Sequence, residues 1–328
     1  MQVYFDQDAD LALIRDKRIA VFGYGNQGRP QALNLRDSGV REVRVAARAG
    51  GMSAERARAD GFDVMTPTAA AAWADMLVLL IPDEDQARIY AEELAPHLRP
   101  GAALVFAHGL AIHFGLIVPR PDLDVMLVAP KGPGTALREQ YRKGGGLLSL
   151  FAVEKDASGH ARALALAYAA ALGSGRAGIL ETSFGEECEA DLFNEQAVLW
   201  GAIPELILAG YETLVEAGFS PEVAYLECLT EVKLIGDLIY ERGIAGMRKA
   251  ISNTAEFGAL AGGERIVSRE VRTEMRRILR EVKNGNFVKD LLADAEAGYP
   301  RLKASRVNSA AHPIETVGAK LRALKPPK

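Results

Sequence analysis

The sequence predicts an α/β fold in which an N-terminal doubly wound parallel sheet is followed by an all-helical domain. Three observations support this prediction. Short apolar runs alternate with helical segments up to about Glu181, a glycine-rich turn joins the first run to a helix, and long stretches of 3.6-residue periodicity follow. At 328 residues the chain is too long for one small core, so we predict two domains, residues 1–181 and 182–328.

Six apolar runs in the first half are predicted strands, and several are continuously apolar, as in a parallel sheet covered on both faces. They are Ile19–Phe22, Val43–Ala46, Leu77–Ile81, Ala103–Ala107, Val125–Ala129 and Leu147–Val153. The periodic stretches of the second half predict helices. These stretches are 188–217, 221–242, 244–256, 268–284 and 286–297.

The composition is that of a globular protein, with 49% apolar and 25% charged residues. The net charge of −4 gives no reason to expect a nucleic-acid partner. Two cysteines make no disulfide framework, and three aspartates precede the first apolar run, unlike a signal peptide. No stretch approaches the ~18 consecutive apolar residues of a membrane span. We therefore expect a soluble, cytoplasmic protein without a membrane partner.

The segment "RIAVFGYGNQG" is typical of a dinucleotide-binding turn. It places Gly23, Gly25 and Gly28 directly after a predicted strand and before a helix. Glycines there permit a tight turn and a close approach of the backbone, and the helix N-terminus attracts a pyrophosphate. The alternative interpretation is a plain tight turn between strand and helix. The first domain is therefore predicted to be a Rossmann domain.

The end of the second predicted strand favours NADP over NAD. An Asp or Glu there would accept hydrogen bonds from the 2′-hydroxyl of the ribose. The sequence "AARAGGMSAER" instead offers Arg48 and Ser53, with no acid before Glu55. A guanidinium suits a 2′-phosphate. The alternative is that Arg48 is a solvated loop residue.

Two pairs of carboxylates lie four residues apart on predominantly apolar predicted helices. The pairs are Asp191 with Glu195 and Glu227 with Glu231. Such pairs repel each other, more strongly when desolvated. One pair is readily explained as an exposed stripe, but two pairs favour a divalent cation, and oxygen-only ligands suit Mg²⁺ or Mn²⁺. Four carboxylates make a two-metal site plausible.

Two further polar residues follow predicted strands at the edge where ligands bind in such sheets. His108 follows one strand in "VFAHGLAIHF", and Lys131 follows the next in "LVAPKGPG". His113 is more easily explained as a packed histidine, and a structural role is an alternative for His108 as well. Together with the nucleotide turn and the acidic pairs, these residues predict hydride transfer to a carbonyl that metal ions polarise.

With these motifs in place, the chain resembles the ketol-acid reductoisomerase family in its short form. The resemblance extends almost from end to end. It is carried by "GYGNQG", "LLIPDEDQ", "FAHGLAIHF", "APKGPG", "RAGILETSF", "DLFNEQAVL", "LVEAGFSPEVAYLECLTEVKLIGDLIYE", "ISNTAEFG" and "HPIETVGAKLR". It implies alkyl migration in acetolactate or acetohydroxybutyrate, followed by reduction with NADPH, in branched-chain amino acid synthesis.

The resemblance also implies roles for individual residues. The ligands of two Mg²⁺ ions correspond to Asp191, Glu195, Glu227 and Glu231. His108 and Lys131 take catalytic positions, Glu231 is a further catalytic candidate, and Ser252 contacts the substrate. The nucleotide motifs add cofactor-binding residues, which are Gly23, Tyr24, Gly25, Asn26, Gln27, Gly28, Arg48, Ser53, Asp83, Gln86 and Gly134.

The resemblance further implies a knotted helical domain and a homodimer or larger oligomer with shared active sites. Glu227, Glu231 and Ser252 would then reach the active site of a partner subunit. The dimer would also explain how an apolar helix that carries carboxylates is covered.

Some positions depart from the family pattern. They are Asn194 in "DLFNEQ", Trp200 in "LWGA", Thr230 in "CLTE", Thr135 in "GPGT" and Gly51, where a serine is common. Trp200 either narrows the space for the migrating alkyl group or packs harmlessly in a helix interface. These departures leave open a divergent relative that acts on another 2-keto or 2-hydroxy acid. A non-catalytic dinucleotide-binding protein is the third hypothesis, which the intact carboxylates oppose.

Overall fold

In a computed structural model that describes residues 2–324, the chain divides into two compact units. The first unit ends at Ala190 and the second begins at Asp191. This division lies inside a helix, shortly after the domain boundary that the sequence predicts at 181/182.

The first unit is built on one sheet. Its nine described strands are β1 (Val3–Tyr4), β2 (Arg18–Phe22), β3 (Glu42–Ala46), β4 (Val64–Met65), β5 (Met76–Leu79), β6 (Ala103–Phe106), β7 (Asp124–Pro130), β8 (Ser149–Lys155) and β9 (Ile179–Glu181). Their order is β1-β9-β8-β7-β6-β5-β2-β3-β4. The chain leaves β2 in one direction toward β4 and then crosses to β5 on its other side. The gap between β2 and β5 is therefore the switch point at which doubly wound folds bind ligands.

The sheet is mixed, and the prediction of a wholly parallel sheet needs this correction. The strands from β2 to β7 pair in parallel, but β8 is antiparallel to β7, with Ser149 opposite Pro130. The short strand β1 is antiparallel to β9. The chain returns through the glycines at 144–146 to the edge where β7 ends, so β8 starts there and runs backward. Strand direction leaves no trace in apolar periodicity, since both kinds of buried strand are continuously apolar.

Helices cover both faces of the sheet. Those of the first unit are α1 (Ala12–Arg15), α2 (Gly28–Asp37), α3 (Met52–Ala59), α4 (Pro67–Trp73), α5 (Asp83–Ile89), α6 (Leu110–His113), α7 (Gly134–Arg142) and α8 (Ala161–Ala171), with a π-helical turn at Tyr90–Leu94. Alternate strand residues enter different cores: Ile19 and Val21 face one, Ala20 and Phe22 the other. This alternation follows from the two-residue period of a strand and buries the sheet between two helical layers.

Helix α9 (Phe184–Asn194) leads into the second unit, which is helical throughout its described residues. The further helices are α10 (Ala202–Glu216), α11 (Pro221–Tyr225), α12 (Glu231–Lys249), α13 (Asn253–Ile266), α14 (Arg269–Lys283), α15 (Asn286–Glu296), α16 (Pro300–Ala311) and α17 (Pro313–Ala323). Two π-helical turns, Glu195–Leu199 and Leu226–Thr230, interrupt the α-helical geometry. The periodicity of the sequence predicts neither these turns nor α16 and α17.

The second unit has a small core and a large exposed apolar surface. Its core cluster contains Tyr211, Tyr225, Ile314 and Val317. Many large apolar side chains on α12 and α13 remain exposed, among them Leu234, Tyr240, Ile244, Phe257 and Leu260. Exposed apolar patches larger than a few hundred Å² mark interaction surfaces.

The stretch Phe184–Glu216 is long and apolar enough, by length and mean hydropathy alone, to cross a membrane. This finding qualifies the expectation drawn above from runs of consecutive apolar residues. The stretch also carries eight carboxylates and the turn at Glu195–Leu199. A single such helix is weak evidence for a membrane span, because an apolar helix that packs against protein meets the same criterion.

Candidate active site

The three glycines after β2 each meet a different structural need. Gly23 has a φ of 90°, and a Cβ there would lie 2.6 Å from the carbonyl oxygen of Leu80. A Cβ on Gly28 would lie 2.0 Å from the carbonyl oxygen of Gly23, so only glycine permits this contact between turn and helix. Gly25 has no atom within 4 Å of its Cβ direction and leaves open space. These are the tight turn, close packing and ligand approach expected of a dinucleotide site.

Other residues of this turn contact the segment that follows strand β7. A Cβ on Gly134 would lie 1.6 Å from the carbonyl oxygen of Asn26, so the start of α7 packs directly on the turn. The amide of Gln27 donates to the carbonyl oxygen of Gly132 at 3.1 Å. Tyr24 is buried, and its hydroxyl donates to Asp60 at 2.9 Å, so its backbone rather than its ring is available to a cofactor.

The segment after β3 contains no carboxylate before Glu55, which lies in the first turn of α3. Arg48 is exposed, and no ion-pair partner for it is found among residues 2–324. Ser53 lies in the first turn of α3, and Gly51 is the N-cap residue of that helix. Arg48 and Ser53, the two residues predicted to bind a 2′-phosphate, therefore lie on either side of the start of α3.

Across the switch point, Asp83 and Gln86 lie on α5 after β5. The Gln86 amide nitrogen donates to Asp83 at 2.9 Å and to the carbonyl oxygen of Ile81 at 3.1 Å. Its amide oxygen is buried and has no hydrogen-bond partner within the described part of the chain. Buried polar atoms are normally paired, so this oxygen fits a donor supplied by a ligand.

His108 lies just after the carboxyl end of β6, and the groups around it favour the protonated form of its ring. Its Nδ1 lies 3.4 Å from an Asp83 carboxylate oxygen, and a ring nitrogen lies within 4.8 Å of Glu187. Burial would lower the pKa of His108, but hydrogen bonds to Asp83 and Cys188 and the charges of Asp83 and Glu187 raise it to about 11. The ring is therefore an imidazolium at neutral pH.

Lys131, at the end of β7, is held by Glu187 of α9. Its Nζ donates to Glu187 Oε1 at 2.7 Å, while the backbone N–H of Gly109 donates to Glu187 Oε2 at 2.9 Å. Glu187 is only 1% exposed. Glu187 is a site residue that the sequence motifs do not predict. One signal for it exists, because it precedes Asp191 by the same four residues that separate Asp191 from Glu195.

A second contact joins α9 to α6. His113 Nε2 lies 3.2 Å from a Glu189 carboxylate oxygen, and a Cβ on Gly185 would lie 3.0 Å from the His113 ring. His113 is thus packed and paired, in keeping with its interpretation as a structural residue.

The four predicted metal ligands lie on two helical segments, each marked by a π-helical turn. Glu195 begins one turn. The second turn, Leu226–Thr230, contains Glu227 and ends directly before Glu231. Such turns occur frequently at functional sites. Asp191 is half-buried, whereas Glu195, Glu227 and Glu231 are exposed.

The structure of one chain does not gather these four carboxylates. Within the helical unit as described, no three of them have ligand atoms within 4.8 Å of one another. Ser252 is also exposed, and its hydroxyl accepts from the N–H of Ala255 as the cap of α13. Trp200 is 66% exposed beside the first π-helical turn.

Comparison with known proteins decides the family. Residues 13–178 match the family model described as the acetohydroxy acid isomeroreductase NADPH-binding domain, and residues 184–326 match the ketol-acid reductoisomerase C-terminal domain. The chain belongs to the ketol-acid reductoisomerase family. A solved structure of an NADH-preferring ketol-acid reductoisomerase from an uncultured archaeon is 45% identical, with a TM-score of 0.96 and full coverage of both chains.

More distant structures share the fold alone. A semialdehyde dehydrogenase NAD-binding protein from Cupriavidus necator is 20% identical, with a TM-score of 0.60 over 82% of this chain and 99% of the other. A pyrroline carboxylate reductase from Plasmodium falciparum is 12% identical, with a TM-score of 0.53 over 83% of this chain and 98% of the other. These two proteins share the overall fold of this chain.

Family membership confirms the predicted enzyme class, and the first domain binds a nicotinamide cofactor. In this ketol-acid reductoisomerase, the dinucleotide turn and the group of His108, Lys131 and Glu187 lie along the carboxyl edge of one sheet. The cofactor preference of the archaeal relative differs from the NADPH that the sequence predicts here.

Proposed function

We propose that this ketol-acid reductoisomerase uses NADPH and Mg²⁺ to convert 2-acetolactate, or 2-aceto-2-hydroxybutyrate, to the 2,3-dihydroxy-3-alkyl acid in branched-chain amino acid biosynthesis. The group of Lys131, Glu187 and His108 carries this proposal. It places two basic side chains at the strand ends beside the dinucleotide turn, Lys131 paired with the buried Glu187 and His108 beside Asp83. Such a site suits a substrate that is an anion and that develops further negative charge.

The reaction requires a base and a stabilised alkoxide. Removal of the substrate hydroxyl proton forms the alkoxide, and its collapse to a ketone breaks one carbon–carbon bond as the alkyl group moves to the neighbouring carbonyl carbon. The new ketone then accepts a hydride and a proton. When bound, two Mg²⁺ ions would polarise the substrate oxygens and the reduced nicotinamide would supply the hydride.

The protonation of the site divides the roles of its residues. The raised pKa of His108 keeps its ring protonated at neutral pH, so His108 would donate a hydrogen bond to a substrate oxygen and would not accept the hydroxyl proton. Lys131 would donate to the substrate beside it. For the base we propose Glu231 of a partner subunit. Glu187 holds Lys131 in position and, with its second oxygen, fixes the backbone at Gly109.

The proposed metal ligands fit Mg²⁺ by their chemistry. All four are carboxylates, which are the ligands that hard cations prefer. The residues that would hold the ions are Asp191, Glu195, Glu227 and Glu231. Nearby ions also explain how carboxylates one turn apart are tolerated, because the cations offset their mutual repulsion.

The proposed preference for NADPH rests on the segment after β3. Arg48 is exposed and has no ion-pair partner in the described part of the chain. No carboxylate before Glu55 is present there to accept a hydrogen bond from a 2′-hydroxyl. Gly51 in place of a serine and the NADH preference of the archaeal relative favour the second candidate, NADH. The choice between NADPH and NADH therefore depends on the short segment after β3.

We also propose that two chains share their helical units. The exposed apolar side chains of α12 and α13 would be covered by a second copy, and obligate interfaces of this kind bury ~2,000 Å² or more. The exposed carboxylates Glu227 and Glu231 would then complete a site on the partner chain.

Two substrates test the function. NADPH oxidation would be followed with 2-acetolactate and Mg²⁺, and separately with 3-hydroxy-3-methyl-2-ketobutyrate, which needs only reduction. Activity with both supports the proposal. Activity with the second compound alone would point to a divergent reductase, and activity with neither would contradict the proposed substrate class.

A further inference from the structure

A basic cavity of about 590 Å³ lies between α2 and α7 and reaches the dinucleotide turn at one end. Its lining includes five basic side chains and one acidic side chain. They are Arg29, Arg56, Arg138, Arg142, Lys143 and Glu139. This concentration of positive charge contrasts with the net charge of −4 of the whole chain. Its volume is in the range of pockets that bind small molecules.

Three of the five cations already have carboxylate partners. The pairs are Arg29 with Asp60 at 2.7 Å, Arg138 with Asp37 at 2.6 Å and Lys143 with Glu139 at 2.7 Å. Arg56 and Arg142 have no ion-pair partner among residues 2–324. The lining therefore has two uncompensated guanidinium groups, which match the geometry of a phosphate.

The cavity touches the cofactor turn but extends away from it. Gly25, Asn26 and Gly134 form one end of its wall. At 1.5 Å per residue, Arg142 lies about 12 Å along α7 from Gly134. The predicted cofactor residues on the other side of the turn, Arg48 and Asp83, do not line the cavity. A ligand held by Arg142 would therefore leave the dinucleotide site accessible.

We propose that this cavity binds a phosphorylated small molecule alongside the nicotinamide cofactor. The guanidinium groups of Arg56 and Arg142 hold its phosphate oxygens, and the body of the ligand occupies the space along α2 and α7.

This proposal is tested by calorimetry. The full-length protein is saturated with NADPH and then titrated with inorganic pyrophosphate. We expect one site per chain. Arg56→Ala and Arg142→Ala should each weaken pyrophosphate binding by about tenfold, because each removes a charge-assisted phosphate contact. Arg58→Ala is the matched control, since Arg58 is an exposed arginine on the same helix as Arg56 that does not line the cavity. All three variants lose one positive charge, and thermal melting checks that each is folded.

Three outcomes would overturn the proposal. The first is the absence of binding heat with the NADPH-saturated protein. The second is binding to the cofactor-free protein alone, in competition with NADPH, which would assign the cavity to the dinucleotide site. The third is equal weakening by Arg58→Ala, which would show nonspecific attraction to a basic surface.

Discussion

The Nζ of Lys131 lies 2.7 Å from Oε1 of Glu187, a carboxylate that is 1% exposed. A buried carboxylate needs a cation or several hydrogen bonds, and Glu187 has one of each kind, from Lys131 and from the N–H of Gly109. The pair links the end of a sheet strand to the helix that continues to Asp191. The pair therefore positions Lys131 in the candidate site and also holds α9 against the sheet.

Glu187→Gln should lower kcat by roughly 100-fold, in the range for loss of one preorganised electrostatic contact. The amide keeps the shape of the side chain but removes the charge that fixes Lys131. Cofactor affinity, measured by fluorescence titration, should change little. Glu186→Gln is the control, because Glu186 is the adjacent exposed carboxylate. A variant at position 187 with normal kcat would contradict the role of Glu187.

Stability should fall as the pH rises above neutrality, and His108 should be the cause. Its pKa is raised from 6.5 to about 11 in the folded protein. The folded state therefore binds the proton more tightly, so the stabilisation is complete below pH 6.5 and is lost as the pH rises toward 11. One such group contributes a slope of at most about 1.4 kcal/mol per pH unit.

Urea unfolding between pH 7 and pH 10 measures this effect. The free energy of unfolding should decrease over that range in the natural protein and decrease less in His108→Gln, which cannot take up the proton. Parallel pH profiles for the two proteins would show that the imidazolium does not contribute.

Arg48→Asp should raise the Michaelis constant for NADPH far more than that for NADH. The carboxylate would repel a 2′-phosphate and accept from a 2′-hydroxyl. Arg58→Asp is the control. It makes the same charge change on α3, away from the position of Arg48. Equal effects of Arg48→Asp on the two cofactors would remove Arg48 from the phosphate site.

Phe257→Asp should separate the subunits. Phe257 is 71% exposed in one chain, and a carboxylate there would be desolvated in an apolar interface. Sedimentation should show a dimer or larger assembly for the natural protein and a monomer for the variant, with loss of activity but not of cofactor binding. Val118→Asp, at a residue 81% exposed in the other unit, is the control. A fully active natural monomer at nanomolar concentration would contradict the shared site.

The sequence predicts the parts of the fold that leave a periodic or compositional signal. Continuous apolar runs predict the six main strands, and the spacing of Gly23, Gly25 and Gly28 predicts the nucleotide turn. The direction of β8 is not predictable in this way, because it depends on where the 144–146 glycines return the chain. The strand β4 has two residues, too few to show a period.

The candidate site is predictable to a similar extent. The acidic pairs are found from their four-residue spacing, which is close to one turn of an α-helix and also of a π-helix, so the spacing does not distinguish the two geometries. Glu187 is missed because its partners, Lys131 and Gly109, are distant in sequence. That Glu227 and Glu231 meet Asp191 on a second chain stays a prediction, because no periodicity within one chain specifies its partner.

Asp191→Asn tests the metal site directly. The amide keeps the volume but removes one anionic ligand, and loss of even a supporting residue around a metal costs roughly 10–100-fold. The isomerisation of 2-acetolactate should fall by at least roughly 100-fold, because it depends most on the alkoxide. Reduction of 3-hydroxy-3-methyl-2-ketobutyrate should persist in part, and NADPH binding should be unchanged, because the dinucleotide turn lies on the sheet.

The Mg²⁺ dependence separates the metal role of Asp191 from a structural one. If Asp191 is a ligand, the Mg²⁺ concentration for half-maximal activity should rise in Asp191→Asn and stay normal in Glu205→Gln, which changes an exposed carboxylate of α10. A folded Asp191→Asn enzyme with full activity and an unchanged Mg²⁺ requirement would make Asp191 a solvated surface residue. The two acidic pairs would then need another explanation, because the repulsion within each pair would no longer be offset by bound cations.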